Sequence, residues 1–310
     1  MGFISQLRNP TAWYAKLVIA ILALAIFGFL ALAAISGYAV YRIVLPERSE
    51  SVIDLQNLPG HPLNLQYTVP GEGTRDSWFF PGLKTAPSVI LCPGYQSSRG
   101  ELLTLASALQ DHQYNVLWID FSGQGSSPGR STLGFQEVKE LRAAMNAVAD
   151  RGDVDTQHFG LWGENLGAYV ALSEAVEDPR VRAIAAESPY GHPDDMVGIL
   201  VARMGLGPIP LVLRMAKFEF EWLNADYRDV PSLKQRLPKL SGVAQLYLES
   251  PGEPLLQKGA QELFQFSPAP HELVDLEHGN YAGMLDDEKR SYENRIVSFF
   301  LVHLPPSPSQ

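Results

Sequence analysis

The sequence QHFGLWGENLGAYVAL, residues 157–172, changes from one periodicity to another along its length. The short apolar run from His158 to Trp162 predicts a buried strand, and from Asn165 onward small and apolar residues recur at helical spacing. Gly163 and Gly167 flank the junction, where a side chain would collide with the neighbouring strand or helix. The stretch therefore predicts a strand, a sharp turn with Asn165 at its apex, and a helix.

Short apolar runs on either side of this stretch predict more strands. The runs Leu63 to Val69 and Ser77 to Phe80 flank a Pro-Gly turn and predict an antiparallel entry to a sheet. Other runs are typical of buried parallel strands, namely Ser88–Cys92, Asn115–Asp120, Val181–Glu187, Val243–Glu249 and Glu272–Leu276. Amphipathic helical stretches lie between most of them, such as Glu101–His112, Leu133–Asp150 and Leu166–Glu177. This alternation predicts an α/β fold, a mostly parallel sheet with helices on both faces.

An uncharged segment near the N-terminus, Leu17 to Tyr41, is long enough to cross a bilayer. As a helix it would extend about 37 Å, against about 30 Å of hydrocarbon. Ala31-Leu32-Ala33 has the small-x-small form of a signal-peptide cleavage site. Because the apolar run continues well past that site, an uncleaved transmembrane anchor is favoured.

The basic residues at the two ends of this segment bear on its orientation. Arg8, Lys16 and the N-terminal amine precede it, whereas Arg42 and Arg48 follow it. Because positive charge tends to stay in the cytoplasm, the balance slightly favours a cytoplasmic N-terminus. The protein is then a single-pass membrane protein with its domain on the opposite side.

Charge and cysteine content argue against several classes of function. The 310 residues include 24 basic and 34 acidic side chains, a formal net charge of −10, which argues against nucleic-acid binding. The single cysteine, Cys92, excludes an intramolecular disulfide and any Cys-based metal site. The seven histidines show no metal-binding spacing, so no metal and no cofactor are expected.

Ligands of parallel α/β sheets bind beyond the carboxyl ends of the strands, so the loops that follow the strands carry the functional information. One such loop reads Pro93-Gly94-Tyr95-Gln96, and the next, residues 120–127, reads DFSGQGSS. Together with Gly163-Glu164-Asn165-Leu166-Gly167, these loops resemble the α/β-hydrolase superfamily, over nearly all of residues 60–303. The first stands where that family has its oxyanion loop, and the third is similar to its nucleophile elbow, G-x-S-x-G, with Asn165 in place of serine.

The resemblance implies one α/β-hydrolase domain with an N-terminal anchor, most similar to membrane-anchored lysophospholipase- or serine aminopeptidase-like hydrolases. Residues 189–240 interrupt the alternation with two apolar helical stretches rich in Met and aromatic residues, interpreted either as a small helical lid or as core helices. A lid of this composition would suit an apolar small molecule or an acyl chain. The predicted segments are a tail (1–16), a transmembrane helix (17–41), a linker (42–60), the domain (61–303) and a second tail (304–310).

The resemblance also implies a catalytic triad in the order nucleophile, acid, histidine. Glu253 is the candidate acid, with Glu249 as second choice, and His278 is the candidate histidine. A carboxamide has no proton that histidine could remove at neutral pH, so serine-type acyl transfer through residue 165 is not expected. The backbone N–H groups of Tyr95 and Leu166 do not depend on that side chain and remain candidate oxyanion donors.

Several functions stay open at this point. The favoured one is a membrane-anchored hydrolase fold that has lost the serine mechanism and binds a ligand or partner. The second is ester, thioester or amide hydrolysis by water that His278 activates. The third places the nucleophile at Ser97, Ser98, Ser122 or Ser188, and the fourth takes Asn165 as an engineered substitution in a working enzyme. A structural role in a membrane complex is a further alternative. The expected partners are the lipid bilayer and an apolar small molecule or acyl chain, and no protein partner is identified.

Overall fold

The computed structural model describes residues 13–47, 60–97, 99–125, 127–277 and 279–306. The described residues within 1–43 and 197–225 form a helical unit, and those within 44–196 and 226–310 form a sheet unit. His278, Ser98 and Ser126 lie outside the described residues. So do most of the predicted linker, most of the first predicted tail and the end of the second.

Within the described residues of the sheet unit, eight strands form one sheet: β1 Leu63–Val69, β2 Gly73–Phe80, β3 Ser88–Cys92, β4 Asn115–Ile119, β5 Phe159–Glu164, β6 Val181–Glu187, β7 Ala244–Glu249 and β8 His271–Asp275. Their order across the sheet is β1-β2-β4-β3-β5-β6-β7-β8. β1 is antiparallel to β2 and β2 is antiparallel to β4, whereas the remaining pairs are parallel. The predicted α/β fold, with its antiparallel entry and mostly parallel sheet, is confirmed.

Helices cover both faces of this sheet. The helices of the sheet unit are α2 Leu103–Asp111, α3 Phe135–Ala149, α4 Leu166–Glu177, the short α7 Leu233–Arg236, α8 Pro254–Phe266 and α9 Asp286–His303. On one face, α2 and α9 pack against alternate strand residues such as Trp162, Ala185 and Leu246. On the other face α4 packs on β5, and α8 contacts β7.

The junction between β5 and α4 is close-packed because both flanking glycines lack a side chain. A Cβ atom at Gly163 would lie 2.3 Å from the carbonyl carbon of Gly167, and a Cβ atom at Gly167 would lie 1.9 Å from the backbone oxygen of Cys92. Neither position could hold a larger residue without movement of the backbone. The helix therefore starts directly against β3 and β5.

Strand β5 differs from its prediction. It runs to Glu164, two residues beyond the predicted end at Trp162, because Gly163 and Glu164 continue the parallel ladder opposite Ala186 and Glu187 of β6. This extension puts the acidic side chain of Glu164 at the last strand position, directly before the turn.

The helical unit contains one long helix, α1, from Trp13 to Val44. It is long and apolar enough to cross a membrane by length and composition, and it exceeds the predicted span 17–41 at both ends. The predicted apolar stretches after β6 are helices, α5 (Pro193–Arg203) and α6 (Pro210–Leu223). The role of residues 189–240 as a lid stays a prediction.

Candidate functional site

Asn165 occupies the corner between β5 and α4. Its backbone has φ 36° and ψ −93°, a conformation that residues other than glycine rarely adopt. Its N–H donates to the backbone oxygen of Glu187 (2.8 Å), and its carbonyl accepts the first hydrogen bond of α4, from the N–H of Tyr169 (3.0 Å). The strand end and the helix start thus hold the apex residue from both sides.

The side-chain oxygen of Asn165 accepts two backbone hydrogen bonds. The N–H of Tyr95, in the loop after β3, donates to Oδ1 at 2.8 Å, and the N–H of Leu166, the first residue of α4, donates to it at 2.5 Å. The two donors that the sequence analysis selected therefore converge on one oxygen atom. Because that oxygen also lies at a helix N-terminus, the helix dipole favours negative charge there. The carboxamide of Asn165 occupies the point where the two donors meet.

The position of Tyr95 depends on its two neighbours in the loop. A Cβ atom at Gly94 would lie 2.9 Å from Nδ2 of Asn165 and 3.1 Å from the carboxyl carbon of Glu164, so glycine permits this close approach. On the other side, the N–H of Gln96 donates to Oε1 of Gln124, in the loop after β4 (3.0 Å). This contact between the loops after β3 and β4 therefore helps to fix the position of the Tyr95 amide.

A pair of buried glutamates lies behind the corner, at the last positions of two neighbouring strands. Glu164 and Glu187 stand opposite each other in the β5–β6 register. Oε1 of Glu164 accepts hydrogen bonds from Nδ2 of Asn165 (3.3 Å) and from Nδ2 of Asn280 (2.5 Å). The carboxylate of Glu164 thereby connects the apex residue to the loop that follows β8.

Glu187 connects the same corner to β7 and α9. Its carboxylate accepts hydrogen bonds from the hydroxyl of Ser250 (2.7 Å), the hydroxyl of Tyr292 (2.7 Å) and the N–H of Tyr281 (3.1 Å). Burial raises the pKa of Glu187, and these hydrogen bonds to the carboxylate act in the opposite direction.

The two candidate acids lie at the end of β7 and at the start of α8. Glu253 is half-buried at the N-cap of α8. Glu249 is buried at the end of β7, and its Oε2 accepts a hydrogen bond from Nε2 of Gln261 on α8 (2.9 Å). Burial raises the pKa of Glu249. His278 lies outside the described residues, so a triad of Asn165, Glu253 and His278 stays a prediction.

Comparisons with known proteins agree with this architecture. The sequence profile of a family described as serine aminopeptidase, S33, matches residues 84–234. A solved esterase structure from Pyrococcus furiosus has a TM-score of 0.64 at 18% identity and covers 84% of this chain and 98% of the esterase. The chain has the α/β-hydrolase fold.

Relatives of this chain include proteins with and without a described activity. An uncharacterized protein of Mycobacterium tuberculosis is 35% identical over 116 residues, which are 36% of this chain and 40% of that protein. A thiohydrolase of Eupenicillium brefeldianum is 22% identical over 214 residues, which are 58% of this chain and 69% of the thiohydrolase. The match thus spans less than half of the mycobacterial relative.

Of the serines considered as displaced nucleophiles, the three that the structure describes have hydrogen-bond partners. The hydroxyl of Ser97 donates to Oε2 of Glu101 (2.7 Å). Ser122 is buried, donates to Glu140 and accepts a hydrogen bond from Arg75 (2.9 Å). The hydroxyl of Ser188 accepts a long hydrogen bond from the backbone N–H of Ser250 (3.4 Å). Each of these contacts gives the serine a role in the fold.

Several residues that surround the corner were not predicted from the sequence. Glu164 stands directly before the apex, within the Gly163–Gly167 motif, and Asn280 comes two positions after the candidate histidine. Glu187 and Tyr292 carried no local signal, because their roles depend on the pairing of β5 with β6 and on the packing of α9. Among the described residues, no group of three or more His, Cys, Asp or Glu side chains is arranged to hold a metal ion.

Proposed function

We propose that this protein is a membrane-anchored α/β hydrolase by fold that does not perform serine-type acyl transfer and binds an acyl ligand through its carbonyl or carboxylate oxygen. The observation that carries the proposal is the convergence of the Tyr95 and Leu166 N–H groups on Oδ1 of Asn165. Two convergent backbone donors at a helix N-terminus form an oxyanion site. In this protein the oxygen in that site belongs to the side chain at the nucleophile position.

The chemistry of the Asn165 side chain explains why acyl transfer at residue 165 is not expected. A carboxamide offers neither a hydroxyl nor a proton that a base could remove, so no acyl-enzyme forms there. A ligand oxygen reaches the two donors only when the Asn165 carboxamide rotates away. The ligand therefore competes with an intramolecular acceptor, which lowers its apparent affinity.

The class of ligand follows from the site and from the relatives. A pair of N–H donors fits a carbonyl or carboxylate oxygen, and both "thiohydrolase" and "esterase" name reactions at an acyl carbonyl. The Met- and aromatic-rich sequence of residues 189–240, the predicted lid, favours an apolar acyl chain.

The proposed location is a membrane, with α1 as a single-pass anchor. The supporting observation is the length and composition of Trp13–Val44. The charge balance at its ends favours a cytoplasmic N-terminus, which places the sheet unit on the opposite side. The lipid bilayer is then the first partner of this protein.

Labelling with a fluorophosphonate probe tests the loss of the serine mechanism. The full-length protein in detergent is compared with Asn165→Ser and with the matched control Asn165→Ala. We expect covalent labelling of Asn165→Ser alone, at residue 165, because only that variant places a hydroxyl over the oxyanion donors. Labelling of the native protein at another serine would contradict the proposal and support a displaced nucleophile.

A thermal-shift titration tests ligand binding at the same donors. A medium-chain fatty acid serves as the probe for native protein and Asn165→Ala. We expect a larger rise in Tm for Asn165→Ala, because this variant removes the competing oxygen from Tyr95 and Leu166. Equal shifts would place the fatty acid elsewhere.

Hydrolysis by water is the second candidate function, favoured by the intact pair of oxyanion donors. Asn280 follows His278 by two positions, and its Nδ2 donates a hydrogen bond to Glu164, next to Asn165. This contact supports a role in hydrolysis for the loop after β8. Hydrolysis of a short-chain p-nitrophenyl ester separates the two functions. Turnover that is lost in His278→Ala but persists in Asn165→Ala supports activated water, because the water mechanism needs the imidazole but not the carboxamide.

A further inference from the structure

The exposure pattern of α1 divides the helix into two parts. None of residues 17–35 is buried, whereas Ser36, Ala39, Val40, Ile43 and Val44 are buried. Residues 17–35 extend about 28 Å at 1.5 Å per residue, close to the thickness of a bilayer core. If α1 spans a membrane, the hydrocarbon region therefore ends near Ser36. Tyr38 and Tyr41 follow and are exposed, as expected of residues at the interface.

Helix α6 contacts α1 at the level of Ser36. The hydroxyl of Ser36 donates to Oε1 of Glu219 at 2.7 Å. Gly37 follows, and a Cβ atom there would lie 3.8 Å from Oε2 of Glu219, so the two helices are close at this point. Both residues of the contact belong to the helical unit. The middle of α6 therefore lies at the depth where the hydrocarbon would end.

Helix α6 has an apolar stripe in addition to its buried face. Val212, Ala216 and Phe220 are fully buried. Another set of apolar residues, at spacings of i, i+4, i+7 and i+11, lies along a different face: Leu211, Met215, Phe218 and Trp222. Phe218 is 67% exposed and Trp222 is 68% exposed. We call these four residues the α6 stripe.

A polar sector borders the α6 stripe. Arg214, Lys217 and Glu221 follow each other at spacings of three and four residues, which places them on one side of the helix. A helix with an exposed apolar stripe, an aromatic residue at its edge and basic residues alongside is typical of helices that lie in a membrane interface. Phe218 and Trp222 lie within one helical turn of Glu219, so their depth is fixed by the contact with Ser36.

We propose that the α6 stripe inserts into the interfacial layer of the same bilayer that α1 crosses. This inference rests on the proposed membrane anchor and adds a second point of contact with lipid. Trp and Phe gain from the interface because their rings leave water, and Arg214 and Lys217 lie on the polar side of the helix, where basic side chains interact with lipid headgroups. The structure favours the bilayer as the partner of the α6 stripe, because α6 contacts α1 where the exposed part of α1, residues 17–35, ends.

Site-specific fluorescence of the full-length protein in phosphatidylcholine/phosphatidylglycerol vesicles tests the proposal. An environment-sensitive NBD label is attached to single cysteines at Phe218→Cys, Glu221→Cys and Leu24→Cys, in a Cys92→Ala background. Glu221→Cys is the matched control in the polar sector, and Leu24→Cys reports on α1. Doxyl groups on the lipids act as quenchers at the interface and in the hydrocarbon core.

We expect a blue-shifted NBD spectrum and quenching by interfacial doxyl lipid at position 218, a water-like spectrum at 221 and quenching by core doxyl lipid at 24. Lipid exposure at 24 with a water-like label at 218 would overturn the inference and leave the anchor intact. A water-like label at 24 would overturn the anchor as well. A blue-shifted label at 218 that no lipid quenches would mean that protein covers the stripe, which also overturns the inference.

A second measurement avoids labelling. Doxyl quenching of tryptophan fluorescence is compared between the native protein and Trp222→Phe in the same vesicles. We expect the fraction quenched by interfacial doxyl lipid to fall in Trp222→Phe, since Trp222 contributes to it. An unchanged quenched fraction would count against insertion of the stripe.

Discussion

At the scale of single residues, Asn165 combines a strained backbone with a well-bonded side chain. Asparagine tolerates positive φ better than most residues, because its short polar side chain can bond locally. Here Oδ1 accepts hydrogen bonds from the backbone N–H groups of Leu166, the next residue, and of Tyr95. These two hydrogen bonds offset part of the cost of about 1–3 kcal/mol that such a backbone conformation carries. Asparagine therefore suits the backbone conformation of this corner.

Gly94 is the residue that allows the oxyanion loop to approach Asn165. We expect Gly94→Ala to lower the free energy of unfolding by about 1–3 kcal/mol, because its Cβ atom would overlap Asn165 and force the loop outward. Denaturation of the full-length protein in detergent measures the effect. Gly279→Ala is the control, since a Cβ atom at Gly279 meets nothing within 4 Å. Equal stability of both variants would contradict the close approach of the loop.

At the scale of elements, Tyr292 joins α9 to the sheet. Its hydroxyl accepts a hydrogen bond from Nε1 of Trp162 on β5 (2.8 Å) and donates to Glu187 on β6 (2.7 Å). All three side chains are buried. The helix is thus held to the two strands whose ends frame Asn165.

We expect Tyr292→Phe to lower the free energy of unfolding by about 1–3 kcal/mol, because it leaves the Trp162 N–H without its acceptor. Tyr67→Phe is the matched control. Tyr67 is equally buried, and its hydroxyl has no hydrogen-bond partner among the described residues, so its removal is expected to be neutral or stabilising. A loss of stability in the control as large as that in Tyr292→Phe would contradict the assigned role.

Periodicity predicted the elements whose ends coincide with a change of polarity. β3, β6 and α4 begin and end where the sequence analysis placed them, because turn residues flank each apolar run. The predicted end of β5 falls two residues too early, because Gly163 and Glu164 are not apolar and extend the strand through backbone pairing with the neighbouring strands. Local pattern does not carry that information.

The residues of the candidate site were also predicted only in part. The motif placed the Tyr95 and Leu166 donors and the apex residue close together, because spacing and strand order fix the backbone. It did not predict that the Asn165 oxygen would fill the site, since that depends on a side-chain rotamer. The contact between Glu164 and Asn280 was missed because it joins residues 116 positions apart in sequence.

At the scale of the whole molecule, α1 is expected to decide where the protein resides. In a membrane fraction, the full-length chain should resist extraction by alkaline carbonate, because residues 17–35 expose apolar side chains along their whole length. A chain that lacks residues 1–43 should be extracted more readily.

A C-terminal reporter that is active only outside the cytoplasm should be active, and a silent reporter would reverse the proposed orientation.

The pH dependence of stability is another property of the whole molecule, because several buried glutamates contribute with the same sign. Burial, with repulsion from Glu137, raises the pKa of Glu140 from 4.5 to about 7, against the hydrogen bonds from Ser122 and the charge of Arg75. Burial also raises the pKa of Glu174 and Glu187. In each case the folded state binds a proton more tightly than the unfolded chain does. Stability is therefore highest below the unfolded pKa and declines as the pH rises toward the folded value.

For Glu140 the decline falls between about pH 4.5 and 7 and amounts to about 3 kcal/mol, since one pKa unit corresponds to about 1.4 kcal/mol. We expect Glu140→Gln to reduce the fall in Tm over this range, because glutamine resembles the protonated acid and never carries the buried charge. Thermal denaturation of the full-length protein from pH 4.5 to 8 measures the slope, with the exposed Glu272→Gln as control. Parallel curves for native protein and Glu140→Gln would show that the fold does not raise the pKa of Glu140, because a group with an unshifted pKa leaves no slope to remove.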